Sequence, residues 1–201
     1  NGRTHINYQA RDGFYFSETL TINITISAVN DKPVMSEFLV YAEEDTGSFL
    51  GNETILNNFN DADTPFQGDT ITRIRFSEVP SEGSLKISGT TIGAGNVISL
   101  VNFGLIEYVP FVNYNGNDSA KIQSNDGIEW GDPSTVNFTV TRISDAPIIT
   151  ESEKNITEDV QSIFLNNEFL DQFTDVDTVY EGDVLTKIKI VELPSDVHFE
   201  W

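Results

Sequence analysis

The stretch Phe59-Asn60-Asp61-Ala62-Asp63-Thr64-Pro65-Phe66-Gln67-Gly68-Asp69 decides the fold, because the chain contains it twice. It recurs 114 positions later as Phe173-Thr174-Asp175-Val176-Asp177-Thr178-Val179-Tyr180-Glu181-Gly182-Asp183. In both copies an apolar residue ends a strand-like run, two aspartates follow with one residue between them, and a Gly-Asp turn leads into the next run. A pattern that returns at a fixed distance indicates an array of repeated domains.

The repeat extends well beyond this stretch. Sliding the sequence over itself by 114 positions pairs residues 1–87 with residues 115–201 without a gap, and 27 of the 87 pairs are identical. We therefore expect residues 1–30 to be the C-terminal part of a first repeat, 31–144 a complete repeat and 145–201 the N-terminal half of a third. The chain begins at Asn1 without Met and is expected to be part of something longer. Pro33 and Pro147 each follow an alternating strand, and proline restrains its predecessor to extended conformations, which predicts short, semi-rigid linkers.

Each repeat is predicted to be all-β. Leu20–Ile26 and Thr135–Thr141 alternate polar and apolar residues, the period of a half-buried strand. Within the complete repeat we predict strands near 35–42, 48–56, 70–78, 84–88, 97–109, 119–123 and 134–142, and no helix of useful length. About seven short strands in about 110 residues are typical of a Greek-key, immunoglobulin-like β-sandwich. The predicted core consists of Phe49, Leu56, Phe59, Ile71, Ile74, Phe76, Leu85, Ile106, Tyr108, Ile122, Val136, Phe138 and Val140.

The composition excludes several classes of function. The chain carries 32 acidic against 11 basic side chains, a formal charge of −21, so it repels nucleic acid and anionic lipid. Its hydrophobic content of 38% is too high for a disordered acidic tail. It has no cysteine, which excludes disulfides and thiolate metal sites. No apolar run approaches membrane-spanning length, so we expect no membrane insertion. No nucleophile–base set is visible, and we expect no enzymatic activity.

The paired aspartates point to a metal. Residues two apart in an extended segment point the same way, so Asp61 and Asp63 bring two carboxylates together, as do Asp175 and Asp177. Hard oxygen ligands suit Ca²⁺. Aspartate is also a turn residue, so a solvated acidic turn is the alternative. The repetition of the pair at one offset favours calcium.

Taken in order, the acidic and amide motifs resemble those of bacterial cadherin-like tandem repeats found in giant surface adhesins, including some gliding-motility adhesins. The resemblance covers the whole chain and rests on Glu44-Asp45, Asp61-Ala62-Asp63, Asn115-Gly116-Asn117-Asp118, Asp126-Gly127 and Ser144-Asp145-Ala146-Pro147. It implies calcium bound at the joints between successive domains.

Two joints follow from the resemblance. At the first, the linker residues would face the paired aspartates and Asp126 of the complete repeat, giving the set Asn30, Asp31, Asp61, Asp63 and Asp126. At the second, residues of the complete repeat would meet the next linker and pair, giving the set Glu44, Asn117, Asp118, Asp145, Asp175 and Asp177. The linker has fewer acids than the cadherin form, and Arg3 and Thr4 stand where the second repeat has Asn117 and Asp118. These departures predict one or two ions per joint rather than three.

The sequence thus predicts a structural rod segment of an extracellular, cell-surface adhesin. Its partners would be the neighbouring repeats of the same chain, with a cell-surface or glycan ligand held by a tip outside this sequence. Two alternatives remain open: a β-sandwich module that binds a glycan or a protein, and an accessory domain of a secreted hydrolase.

Overall fold

The computed structural model describes residues 2–64, 68, 70–177 and 184–192. The chain divides into two compact units, residues 1–142 and residues 143–201. Strands dominate the described residues, with short helical segments between them. No helix among the described residues is long and apolar enough to cross a membrane. The predicted division into three parts, at 30/31 and 144/145, stays a prediction.

Most of the elements belong to the first unit. In chain order it contains β1 (Gly2–Tyr8), β2 (Leu20–Ile26), β3 (Val34–Met35), β4 (Phe38–Glu43), β5 (Ser48–Phe49), α1 (Asn52–Asn57), β6 (Phe59–Asn60), β7 (Arg73–Glu78), β8 (Gly83–Ile87), β9 (Thr90–Thr91), β10 (Val97–Ser99), a 3₁₀ helix (Leu100–Leu105), β11 (Ile106–Pro110), β12 (Gly116–Asn125) and β13 (Ser134–Thr141). The second unit contains β14 (Ile148–Ile149), α2 (Asn166–Leu170) and β15 (Phe173–Thr174).

Two sheets form the body of the first unit. One has five strands in the spatial order β10-β7-β12-β13-β4, and the other has four in the order β5-β11-β8-β9. Smaller pairs join β1 to β2 and β3 to β6. The β13–β4 pair is parallel over six residue pairs, from Val136 opposite Phe38 to Thr141 opposite Glu43. The other strand pairs of this unit are antiparallel.

The core lies between these two sheets. Alternation along β13 buries Val136, Phe138 and Val140, since every second side chain of a strand points to the same face. The Phe138 ring stacks on the ring of Tyr108 from the four-stranded sheet, with 4.0 Å between ring centroids. Burying a side chain of this size contributes about 1.5–3 kcal/mol. The contact therefore helps to hold the two sheets together.

Two of the predicted strands are wrong in part. Only Ser48–Phe49 of the predicted strand 48–56 is extended, because Asn52–Asn57 forms α1. The predicted strand 97–109 is interrupted at Leu100–Leu105 by the 3₁₀ helix. Each segment turns a single large apolar side chain into the core: Ile55 from α1 and Phe103 from the 3₁₀ helix are both fully buried.

The predicted core is largely confirmed. Ten of its thirteen residues are buried, and Leu56 and Phe59 are partly buried against the cluster. Phe49 is the exception: it is 60% exposed, because β5 lies at the edge of its sheet. The two strands with the clearest alternation both form, as β2 spans Leu20–Ile26 and β13 spans Ser134–Thr141, but only β13 is half-buried, since the apolar side chains of β2 are largely exposed.

Candidate metal site

The first predicted cluster is brought together within the first unit. The Asn30 side-chain amide Nδ2 donates a hydrogen bond to Asp126 Oδ2 over 3.1 Å. The next residue, Asp31, donates its backbone N–H to Asp63 Oδ2 over 2.7 Å. Two consecutive linker residues thus contact two carboxylates that lie 63 positions apart in the sequence. One carboxylate belongs to the loop that contains Asp61 and Asp63, and the other to the loop that begins at Asp126.

Each of these loops is organised by its own aspartate. Asp61 Oδ1 accepts the N–H of Asp63 over 2.8 Å. Asp126 Oδ1 accepts the N–H groups of Ile128 and Glu129, each over 2.7 Å. Such side-chain-to-backbone bonds are the usual way in which aspartate shapes a turn. The Asp61, Asp63 and Asp126 side chains are all buried, so the turns fix their positions below the surface.

Two oxygen atoms of this cluster have no hydrogen-bond donor. Asn30 Oδ1 and Asp61 Oδ2 are both buried without a partner. A buried acceptor without a donor costs free energy, and the cost is larger for a charged oxygen. Carboxylate and amide oxygens are the ligands that Ca²⁺ takes, so the donor set fits this ion. Within the described part of the chain no three Asp, Glu or His side chains converge as a metal-ligand group, so this set is mixed carboxylate and amide.

The protonation of Asp126 reflects its hydrogen bonds. Burial acts to raise the pKa of Asp126, but the N–H groups of Glu129 and Ile128 and the Asn30 amide favour the charged form. Together they outweigh burial and hold the pKa of Asp126 below its usual range. Asp126 is therefore an anion in the folded protein at neutral pH.

The second unit repeats the backbone part of the first cluster. The Asp145 N–H donates to Asp177 Oδ2 over 2.7 Å, and the Asp177 N–H donates to Asp175 Oδ1 over 2.9 Å. Both bonds match those of the first unit at an offset of 114 positions. The Asp177 side chain is 3% exposed, like its counterpart Asp63 at 7%. The predicted residues of the second unit are thus placed as their counterparts are.

Glu44 contacts a residue that sequence reasoning missed. Its side chain is 1% exposed, and Oε2 accepts the Asn115 amide Nδ2 over 3.2 Å. We predicted Asn117 and Asp118 as its companions, whereas Asn115 opens the same motif. The signal for Asn115 was its recurrence, since Asn1 stands 114 positions earlier.

Asn117 and Asp118 have separate surroundings. Asn117 is exposed on β12, and its Oδ1 accepts the hydroxyl of Thr139 over 3.3 Å. Asp118 is buried and has four near donors: its Oδ1 accepts the N–H groups of Ser81 and Ser119, and its Oδ2 accepts the Glu82 N–H and the Tyr108 hydroxyl. Burial and the contact with Asp118 raise the pKa of Tyr108 far above its usual value, so the hydroxyl remains a donor. Asp118 therefore stabilises the turn before β8.

Asp69 and Asp183, the aspartates of the two predicted Gly-Asp turns, lie outside the described residues. No protein-family model matches the sequence, and a search of the curated proteins gives no match.

Proposed function

We propose that this chain is a segment of a structural rod, built from tandem cadherin-like Greek-key β-sandwiches of about 114 residues, in a large extracellular adhesin. The sequence repeat supports this proposal, since 27 of 87 aligned residues are identical. Local features that recur at the same offset support it too. The β3–β6 and β14–β15 pairs have the same register 114 positions apart. Asp12 and Asp126 likewise accept the N–H groups two and three residues ahead of them.

The joints of the rod would be stiffened by calcium. The observation that carries this proposal is the pair of buried, unpartnered oxygens, Asn30 Oδ1 and Asp61 Oδ2. Asn30 belongs to the linker and Asp61 to the following sandwich, so an ion held by both would tie the linker to that sandwich. Asp31, Asp63 and Asp126, which we predicted as further ligands, would add negative charge near the ion. In the second unit we propose Asp145, Asp175 and Asp177 as the counterparts of Asp31, Asp61 and Asp63.

The proposed role of this chain is mechanical rather than catalytic. A stalk holds an adhesive tip away from the cell, and the repeats of the stalk need to bind only one another. Extracellular calcium modules bind with dissociation constants on the order of 0.1–1 mM, which suits a joint that is filled outside the cell. In a tandem array each repeat contacts chiefly its neighbours, so stiffness depends on the joints.

Thermal unfolding in calcium and in EDTA tests the proposal. An ion that binds only the folded state stabilises it by about 2.7 kcal/mol at one hundred times its dissociation constant. We expect calcium at saturating concentration to raise the melting temperature by roughly 5–10 °C at matched ionic strength. Asp61→Asn should lose most of that calcium-induced rise, because Asn supplies a neutral oxygen in place of a charged one. In EDTA the variant and the natural chain should melt at the same temperature.

Asp132→Asn is the matched control. Asp132 also lies in the first unit, but its side chain is 90% exposed, and its Oδ1 lies 3.8 Å from the Lys32 ammonium. Asp132→Asn removes the same formal charge from a site without buried oxygens, so calcium should raise the melting temperature of this variant as much as that of the natural chain. Equal loss in the two variants would mean that calcium acts as a general counter-ion, and no rise at all in the natural chain would refute the metal.

A further inference from the structure

Two arginines stand out on the outer face of the five-stranded sheet. Arg73 and Arg75 alternate along β7 with Ile74, which is fully buried, so the two guanidinium groups point away from the core on the same face. We call these two residues the arginine pair. They belong to a chain with only 11 basic residues.

The arginine pair is held in a fixed orientation. Arg73 Nε donates to Asn125 Oδ1 over 3.0 Å, and Arg75 Nε donates to Gln123 Oε1 over 2.9 Å. Both guanidinium groups lie over the Trp130 ring, at 5.6 Å and 4.3 Å from its centroid. Trp130 is half-buried, and its ring packs against this pair. The ring and the amides orient the guanidinium groups and use only their Nε–H donors.

In the part of the chain that the structure describes, no acid neutralises the arginine pair. Among the described residues neither Arg73 nor Arg75 has a carboxylate partner, although the chain carries 32 acidic side chains. Glu78, at the end of β7, lies opposite Lys121 in the sheet, and Glu37 accepts the Asn137 amide Nδ2. Two like charges side by side cost free energy unless an anion is shared between them. The Nη donors that remain have the planar geometry that binds an oxyanion in a bidentate manner.

The same two positions are basic in the next repeat. Lys187 and Lys189 stand 114 residues after Arg73 and Arg75. Ile188 lies between the two lysines, as Ile74 lies between the two arginines. Both lysines are exposed. Four of the 11 basic residues of the chain therefore occupy these two repeat positions, which surface composition alone does not explain.

We propose that the arginine pair is an anion-binding site that takes an acidic polysaccharide, one that carries a carboxylate or a sulfate on some of its sugars. Two strands away, β13 presents Thr135, Asn137 and Thr139 on the same outer face, where they bond to Lys121, Glu37 and Asn117 and continue the polar surface beside the pair. Charge density favours a polysaccharide over nucleic acid. DNA carries one charge per about 1.7 Å and is repelled by the net charge of −21, whereas a sparsely charged polysaccharide offers single anions to a local site.

Binding of defined polymers tests this site. Hyaluronan supplies sparse carboxylates, dextran of low sulfate content supplies sparse sulfates and unmodified dextran is the neutral reference, each measured against the natural chain in calcium at 150 mM NaCl. We expect one or both anionic polymers to bind and dextran not to bind. Arg75→Gln should weaken that binding by about tenfold or more, the factor that corresponds to one charge-assisted hydrogen-bonded contact. Arg73→Gln, at the more exposed position, is the second variant if Arg75→Gln does not fold.

Lys86→Gln is the matched control, since it removes one positive charge from β8 in the other sheet. A bridge of calcium between the polymer and the acidic surface would affect both variants alike, so only a difference between them supports the site. Equal binding by Arg75→Gln and Lys86→Gln, or a lower melting temperature of Arg75→Gln with unchanged binding, would overturn the proposal in favour of a packing role. Arg-dependent binding of polyglutamate but of neither polysaccharide would also overturn it and indicate an acidic protein partner.

Discussion

At the scale of single residues, Asp61 and Asp118 use their oxygens in different ways. Both are buried aspartates that we predicted to be calcium ligands. Asp118 has near donors on both of its oxygens, from the turn before β8 and from Tyr108. Asp61 has one oxygen bonded to its own turn and the other without a donor. Sequence spacing alone cannot separate these two cases, because three of the four donors to Asp118 come from residues 10 to 37 positions away.

Asp118→Asn separates a structural role from metal binding. The new amide would place N–H groups where the native oxygen accepts hydrogen bonds, so we expect a loss of about 2–3 kcal/mol in the free energy of unfolding. That loss should be the same in EDTA and in calcium, as measured by urea unfolding. Asp61→Asn should show the opposite pattern, with a loss in calcium alone. A deficit of Asp118→Asn that appears only in calcium would make Asp118 a ligand after all.

Glu168 makes the stability of the second unit depend on pH. The Lys154 ammonium donates to both of its oxygens, and with the Leu165 N–H it holds the pKa of Glu168 below its usual range. A carboxyl whose pKa is lowered on folding stabilises the folded protein at any pH above the pKa that it has in the unfolded chain, which is about 4.3 for glutamate. That stabilisation is lost as the pH falls from this pKa through the lower pKa of the folded state.

Lys154→Met should return the pKa of Glu168 toward its usual value, as followed by NMR titration of the Glu168 carboxyl. Lys86→Met, in the first unit, is the control and should leave this titration unchanged. If the pKa of Glu168 stays equally low in Lys154→Met, the Leu165 N–H alone sets it.

At the scale of elements, the long alternating strands were predictable and the short helical segments were not. Thr135–Thr141 alternates over a full seven residues, which leaves no other period that fits. Asn52–Asn57 has six residues, fewer than two helical turns, and its neighbouring Ile55 and Leu56 fit a strand equally well. The 3₁₀ helix is just as short, and Phe103 alone anchors it in the core. Tertiary packing therefore decides these segments, which is information that local sequence does not contain.

The loop after β12 depends on one glycine. A Cβ on Gly131 would lie 2.2 Å from the carbonyl oxygen of Pro33, a backbone atom that cannot move aside by itself. We expect Gly131→Ala to destabilise the first unit by about 1–3 kcal/mol, the usual cost of overpacking. Gly104→Ala is the control, since its nearest neighbour would be at 3.7 Å. Equal melting temperatures for the two variants would show that the linker at Pro33 can shift freely.

At the scale of the whole molecule, the proposed joints set the extension of the chain. Without calcium the carboxylates that we propose to meet at a joint would repel each other, and bending the linker would relieve that repulsion. A shared ion would fix the linker against its sandwich. We therefore expect a recombinant chain of four or more repeats to be a straight rod in calcium and a bent chain in EDTA, as seen by electron microscopy.

Salt provides the control for this prediction. Monovalent salt at high concentration screens the repulsion but supplies no shared ligand, so it should leave the chain bent in EDTA. Rods that remain equally straight in EDTA would mean that packing alone sets the joints.

The parallel pairing of β13 with β4 determines how the first unit responds to force. The chain enters β4 at Phe38 and leaves β13 at Thr141, and the two strands run in the same direction. Tension applied through these two ends pulls the strands past each other along their length. The hydrogen bonds of all six residue pairs are then loaded together in shear, instead of breaking one after another as in a zipper. Forced unfolding is governed by the unfolding rate rather than by equilibrium stability, and this arrangement slows that rate along the pulling direction.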